Sequence, residues 1–487
     1  MNHFISNETR EYSSEILKKV IDIGIDYKLQ ESFKSKKFDD TVNTEIFDLP
    51  IEGTELNKLV SFFKESILPY CANFSSEKFM GFPDAGNSIA GITGAVFADF
   101  LQQNLINSSF CSPIGTFMEI AVIQWLRSVI GYEKCKVNNI SDVGGIITHG
   151  GTLSNAIAML LARENHKKNT MKTGVVNAED FKIILPKGIA HYSIKSSQMW
   201  LGCGDNIIEV ETDNYRYNLE ALKEALDENN GKIMAVIVYA GDSRSMTIDR
   251  LDEVARITKE SDPDIWLHVD ACHGFSLAFS EKLQHKIKGI EQFDSISTDP
   301  HKVLMLPYTL SALLLKNPES IDFIKTTSDL IMSEQYAFGQ VTPFIGSKNW
   351  MSLKLWFLMK NLGIKEIGKC VEKRYYLAQY LKEKIDNSDS FVVLNDVDYN
   401  SVMFIYVGDK TYNVEKINSI SKKMKERIDS DGIYYLHQFS ISDDTGVIDK
   451  GKIFYPIRYM SGNANLRSED IDAMFEYLQK ISKEIDC

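Results

Sequence analysis

The chain has 487 residues, 44% of them hydrophobic, with 54 lysines and arginines against 67 aspartates and glutamates. A formal charge of -13 and an isoelectric point near 5.3 exclude the concentrated basic face that nucleic acid or an anionic membrane surface requires. A chain of this length divides into domains around a large core, and a small molecule is the partner that remains.

The first residues, Met1-Asn2-His3-Phe4, lead into charged, helix-like sequence without an apolar signal core, and later apolar stretches are broken by residues such as Asp99. The expectation is a soluble, cytoplasmic protein with neither a membrane nor a nucleic-acid partner. Seven cysteines, at 71, 111, 135, 203, 272, 370 and 487, form no CxxC pair. They suit free thiols in a reducing compartment, and no metal site is expected.

Ile16, Val20, Ile23 and Tyr27, then Leu56, Leu59, Val60 and Phe63, predict helices within 9–35 and 53–68. From about 90 to 125 the pattern is helical and mostly apolar, and this stretch is expected to be buried beneath a larger body. Aliphatic or β-branched runs then alternate with helical segments: Gly145-Ile146-Ile147-Thr148 before a helix from Ser154, Lys182-Ile183-Ile184-Leu185 before one near His191, 233–239 before one from Leu251, then 266–269 and 295–297. This predicts an α/β fold with a mainly parallel sheet, helices over it, and ligands at the carboxyl ends of the strands. Helices at 351–362 and 368–387, strands at 391–394 and 401–406, a helix near 414–430 and a last one at 468–481 predict a smaller α/β domain. The expected division is an N-terminal helical segment, 1–88, a large domain, 89–364, and a small C-terminal domain, 365–487.

The chemistry falls at the strand ends. Lys302, in Asp299-Pro300-His301-Lys302, follows one strand, and Asp270 closes an apolar run where a carboxylate needs a cationic partner. An amine able to form a Schiff base and a carboxylate able to keep a pyridine nitrogen protonated are what pyridoxal 5'-phosphate (PLP) requires. In Thr148-His149-Gly150-Gly151-Thr152-Leu153-Ser154-Asn155 a strand turns into a helix. Gly150 and Gly151 let the backbone approach an anion, Thr152 offers a hydroxyl, and the helix N-terminus adds partial positive charge. An ordinary N-capped turn is the alternative. His191 opens the helix after another strand, as a cap or as a ring lying flat on a cofactor.

In this order, GGTxSN, HYSIK, HVDAxxG and DPHK, the motifs resemble those of the group II PLP-dependent amino-acid decarboxylases, over about residues 75–470. The resemblance implies the PLP-dependent transferase type I fold, aspartate aminotransferase-like, and a homodimer with shared active sites. It makes Lys302 the Schiff-base lysine, Asp270 the partner of the ring nitrogen and His191 the stacking group, with Gly151 and Thr152 on the phosphate and His301 also on the cofactor. Arg458 matches an arginine that holds a substrate carboxylate, Phe82-Pro83 resembles a stretch lining the side-chain pocket, and Tyr336 matches a loop tyrosine that reaches the neighbouring subunit's site as a proton donor. Asp242 stands near where a threonine normally approaches the cofactor, so it is expected to contact cofactor or substrate. Cys272 and Phe275 replace smaller residues beside Asp270, and Ser347 stands roughly where an arginine is frequent.

The resemblance implies decarboxylation of an L-amino acid, aromatic favoured, to its amine and carbon dioxide. Three other readings stay open: a carbon-carbon lyase resembling the sphingosine-phosphate lyases, oxidative decarboxylation to an aldehyde, and a non-catalytic relative.

Overall fold

Seven consecutive residues, Ile233–Tyr239, are buried on both faces. A parallel strand covered by helices above and below has no solvent side, which is why this run is apolar throughout instead of alternating. It is a central strand of the larger sheet in the computed structural model, which describes residues 3–35, 49–329, 335–408 and 413–486. The strands of that sheet are β1 (Gly145–Thr148), β2 (Lys182–Pro186), β3 (Ile207–Val210), β4 (Ile233–Tyr239), β5 (Trp266–Asp270), β6 (Ser295–Thr298) and β7 (Ser311–Leu315). They lie in the order β1-β7-β6-β5-β4-β2-β3. Every neighbouring pair is parallel except those made by β7, which runs antiparallel to both β1 and β6.

The helices that place the site are α1 (Arg10–Lys28), α2 (Ile89–Leu101), α3 (Pro113–Val129), α4 (Gly151–His166), α5 (Tyr192–Trp200) and α6 (Ser352–Asp386). Helix α4 begins at Gly151, three residues earlier than the pattern suggested. The two helices expected at 351–362 and 368–387 are one run, α6, broken by a non-helical Gly363 at φ 68°. Its C-terminal half packs with α7 (Val414–Asp431) and α8 (Ser468–Asp486) over a second, antiparallel sheet of Phe391–Val393, Ser401–Tyr406, Ile457–Met460 and His437–Gln438. The two sheets have separate apolar cores.

The segment before α2 is stitched to the smaller sheet. Met80 donates its backbone N–H to the Tyr435 carbonyl at 2.9 Å and accepts from Met460 at 2.8 Å. The ring of Phe79 stacks on Tyr435 at 4.8 Å. Gly462 admits Pro83, since a Cβ at 462 would collide with the Pro83 carbonyl.

One expectation is corrected. The 90–125 stretch is only half buried: Phe97, Phe100, Phe110, Ile114 and Phe117 are exposed. Amphipathic period and mean apolarity both read as burial, and a helix can satisfy them while leaving its second apolar face uncovered. Among the described residues no helix is long and apolar enough to cross a membrane.

Candidate active site

Five carboxyl ends, those of β1, β2, β4, β5 and β6, converge on one cleft. After β1 the chain turns through Gly150, at φ 143°, a conformation that favours glycine, into the 16-residue helix α4. A Cβ on Gly151 would stand 2.9 Å from both carboxylate oxygens of Asp299 and from the Cys272 sulfur, so only glycine leaves this cradle open. Thr152 sits at the cradle's rim, 3.4 Å from the Tyr192 hydroxyl. Leu153 and Ser154 bond back to the Gly150 carbonyl, while the N–H groups of Gly151 and Thr152 have no helical partner, an arrangement suited to an anion.

Strand β5 ends in Asp270, 6% exposed, whose carboxylate accepts from Asn155 Nδ2 at 2.9 Å and from the Cys272 N–H at 3.1 Å. It keeps lone pairs for a further donor. Strand β6 leads through Asp299 into the single turn Pro300–Val303, which carries Lys302. The Lys302 ammonium lies 2.7 Å from Asp299 Oδ2. Burial disfavours charge on both groups, but their attraction outweighs it. Asp299 is held at about 2, helped by His301 and a bond from Ser311. Lys302 is raised above the ordinary lysine range, chiefly by Asp299. His301 Nδ1 lies 2.7 Å from the Leu310 carbonyl and 3.4 Å from the Leu310 N–H, so this backbone peptide seats the ring.

His191 caps α5 with its ring. Nδ1 accepts the Ser193 N–H at 3.3 Å and lies 2.7 Å from the Ser193 hydroxyl. Burial lowers its pKa, opposed by Asp270. Its backbone N–H donates to the Tyr239 hydroxyl at 2.8 Å.

Gly150, Gly151, Thr152, His191, Asp270, His301 and Lys302 therefore line the same cleft. Asp242 does not, which corrects the expectation that it touches cofactor or substrate. Its carboxylate is fully buried and turned into its own loop: Oδ1 accepts from Arg244 N at 2.7 Å and Ser245 N at 2.8 Å, and Oδ2 from Thr247 N at 3.1 Å and the Ser245 hydroxyl. An aspartate followed by such N–H groups closes a turn on itself more readily than it reaches out.

Arg458 and Phe82 lie together one layer behind the cleft wall. The guanidinium sits 5.3 Å from the Phe82 ring and 5.4 Å from Phe439, donating to the carbonyl of Ser243, itself a cleft residue, and to that of Gly81 at 3.0 Å. Burial lowers its pKa to about 10, opposed by Asp242. Two of the donors a substrate carboxylate would use are thus committed to backbone. Tyr336 is remote from the cleft; its hydroxyl is 3.5 Å from the Val137 carbonyl and its ring packs edge-on against Phe117 at 5.1 Å. Of its loop, residues 330–334 lie outside the described residues. Cys272 lines the cleft, whereas Phe275 belongs to the core. Beside Ser347, Lys348 is buried in an ion pair with Glu119 at 3.0 Å.

Sequence reasoning assigned no role to Tyr308, Thr309, His273 or Asp299, all in the lining. Asp84 was also missed. It bonds the Tyr308 hydroxyl, while its Oδ1 is buried without a partner among the described residues. Only Asp299 carried a signal, a buried acid inside the DPHK motif.

The residues present fit PLP: an amine, a carboxylate with spare lone pairs, and a glycine cradle at a helix N-terminus. Residues 42–407 match the family described as the pyridoxal-dependent decarboxylase conserved domain. Aromatic-L-amino-acid decarboxylase of Bacillus atrophaeus is 24% identical over 505 residues, covering 98% of each chain. An acidic amino acid decarboxylase of Mus musculus is 23% identical over 503 residues, covering 99% of this chain and 86% of the other. Among solved structures, Oryza sativa TDC with PLP and tryptamine superposes with a TM-score of 0.87 at 18% identity, over 99% of this chain and 100% of that one.

Proposed function

The chain belongs to the pyridoxal-dependent decarboxylase family and is a PLP-dependent amino-acid decarboxylase; from that premise we propose that its substrate is an aromatic L-amino acid whose ring carries a hydrogen-bond donor. PLP when bound supplies a conjugated ring that takes up the electron pair left behind as the substrate's carboxylate departs as carbon dioxide. The observation that carries the site assignment is the placement of Lys302 and Asp270 at the ends of adjacent strands, β6 and β5, in one cleft.

Lys302 would hold the cofactor through its amine, and Asp270 would keep a proton at the ring nitrogen. Gly151 and Thr152, with the first turn of α4, would hold the phosphate, and His301 and His191 would contact the cofactor from the same cleft. Arg458 acts from behind the wall, fixing the Ser243 carbonyl and Phe82 instead of gripping the substrate with a free fork.

The donor preference rests on Asp84. It follows directly on Phe82-Pro83, stands beside the cleft residue Tyr308 and keeps a buried oxygen without a partner among the described residues, which supports a donor at the end of the substrate side chain. An indole N–H or phenol O–H satisfies such an oxygen, and a phenyl ring leaves it stranded. A carboxylate side chain would add repulsion.

A homodimer is supported by the exposed apolar face of α2 and α3. Tyr336 rests against Phe117 on that face, which supports reading it as the proton donor of the neighbouring subunit's cleft. The division at 1–88, 89–364 and 365–487 is kept as the working description, with Gly363 at the second joint. The location is proposed to be cytoplasmic.

The test is carbon dioxide and amine release by PLP-loaded protein from a panel of L-amino acids, with Lys302→Ala as the blank. Tryptophan or tyrosine is expected to exceed phenylalanine by at least tenfold in kcat/KM, with Asp84→Ala closing most of that gap. Fastest turnover of an acidic or aliphatic amino acid would overturn the substrate reading. Turnover surviving Lys302→Ala would overturn the site.

A further inference from the structure

We propose that a directed chain of hydrogen bonds, starting at the indole of Trp266 and passing through Ser295, His268, Asn155 and Ser193, fixes His191 as the neutral tautomer with its proton on Nε2. The five residues before His191 are all buried. An indole can only donate, and Trp266 Nε1 gives its hydrogen to Ser295 Oγ at 2.8 Å. Ser295 directs its own O–H to His268 Nδ1 at 2.8 Å. The proton of neutral His268 is then on Nε2, which meets Asn155 Oδ1 at 3.1 Å. Burial holds this imidazole at about 4, against the pull of Asp270, in agreement with a neutral ring.

The amide of Asn155 is the junction. Its two N–H groups go to Asp270 Oδ2 at 2.9 Å and to Ser193 Oγ at 2.8 Å. Ser193, having accepted, donates its O–H to His191 Nδ1 at 2.7 Å, and the Ser193 backbone N–H points at the same nitrogen. Nδ1 accepts twice, so the proton of the neutral ring resides on Nε2.

The direction is set from the acid end. A carboxylate oxygen accepts, so Asp270 prevents the Asn155 amide from turning over and leaves Asn155 Oδ1 facing His268 Nε2; the Trp266 donor is compatible with that order, since Ser295 accepts from it while donating onward. Asn155, Ser193 and His268 are therefore positioning residues. They leave His191 an N–H donor toward the cleft that can hold an anionic group, and they occupy the nitrogen at which it would otherwise take up a proton. One amide also ties the group under the ring nitrogen to the group on the ring face.

The test is solid-state nitrogen NMR of histidine-labelled holoenzyme, with His191→Phe assigning the resonances. The wild type is expected to show an Nε2-protonated, Nδ1-bare His191 at neutral pH. Asn155→Asp keeps the shape and reverses the polarity: the new carboxyl, sharing one proton with Asp270, draws the Ser193 O–H, and His191 becomes protonated at Nδ1. Its kcat/KM profile gains an acid-side inflection at least one pH unit above that of the wild type. Ser193→Ala leaves only the longer backbone N–H bond at Nδ1 and is expected to give a mixture of tautomers, with Ser193→Thr restoring the Nε2 form, a pair that decides the matter if Asn155→Asp fails to fold or to bind PLP. An Nδ1 proton in the wild type, or an unchanged His191 in a PLP-loaded Asn155→Asp or Ser193→Ala protein, would overturn the proposal. The readout does not depend on turnover, so an inactive protein with the Nε2 tautomer would sink the substrate reading and leave the relay standing.

Discussion

Asp299→Asn opens the ion pair on the cleft floor, and its main effect falls on how fast apoprotein captures PLP. Imine formation needs a lysine without its proton, and Asp299, 2.7 Å away and 2% exposed, holds Lys302 charged. Removing the carboxylate leaves burial as the dominant influence on the amine. Breaking a buried pair costs about 3–5 kcal/mol, which is about 2–4 pKa units at roughly 1.4 kcal/mol each. The Lys302 side chain is 26% exposed to the cleft, so water screens part of the attraction and the lower end, about 2 units, is the expectation. At neutral pH the free-amine fraction then rises about a hundredfold. The sign is definite: a lysine whose folded pKa is raised keeps its proton as pH rises through the ordinary lysine range, and the variant loses it earlier. Stopped-flow mixing of apoprotein with PLP, followed in the visible band between pH 6.5 and 9, gives the rate. The variant is expected to capture PLP faster, with a rate that levels off at lower pH than in the wild type. Equal rates with the same pH dependence would refute the claim that Asp299 controls the amine.

Gly151→Ala places a methyl against the Asp299 carboxylate and the Cys272 sulfur at 2.9 Å. Overpacking of about 1–3 kcal/mol weakens PLP binding roughly 5- to 150-fold, measured by titrating apoprotein; unchanged affinity would remove the cradle from the argument. Lys348→Ala strands Glu119, whose other oxygen accepts from Ser352 at 2.8 Å, and is expected to destabilise by about 3–5 kcal/mol in denaturant unfolding. Replacing both partners, as Lys348→Met with Glu119→Leu, is expected to recover most of that loss; a double variant as unstable as the single one would show that the pair contributes more than mutual neutralisation.

Where the sequence was informative, it was so because a strand end and a helix start are local events. Glycines before an amphipathic run place the cradle, and the acid ending the β5 run and the lysine after β6 need only the parallel order of the sheet to meet. What failed was decided by competition between nearby groups. Asp242 was read as reaching toward a ligand, yet three backbone N–H groups within five residues take its oxygens first. Strand β7 escaped notice because Ser-Ala-Leu-Leu-Leu, buried throughout, reads equally as a buried helix, and its antiparallel course follows from no periodicity. Asp84 and Tyr308 meet across more than two hundred positions, through a segment anchored to the other sheet at Tyr435 and Met460, and no local pattern announces that. The exposed face of α2 and α3 shows the converse: apolarity was legible, what covers it was not.

The ring of His191 also terminates a helix, and so the state of a side chain is written into the backbone. The Ser193 amide is protected from solvent deuterium only while Nδ1 stays in place to receive it, because no earlier carbonyl of α5 is available to that N–H. Deuterium uptake at the start of α5, compared with uptake in the middle of the same helix, therefore reports when the ring leaves its seat. That separates motion of the stacking group from motion of the helix that carries it, without any label on the ring itself.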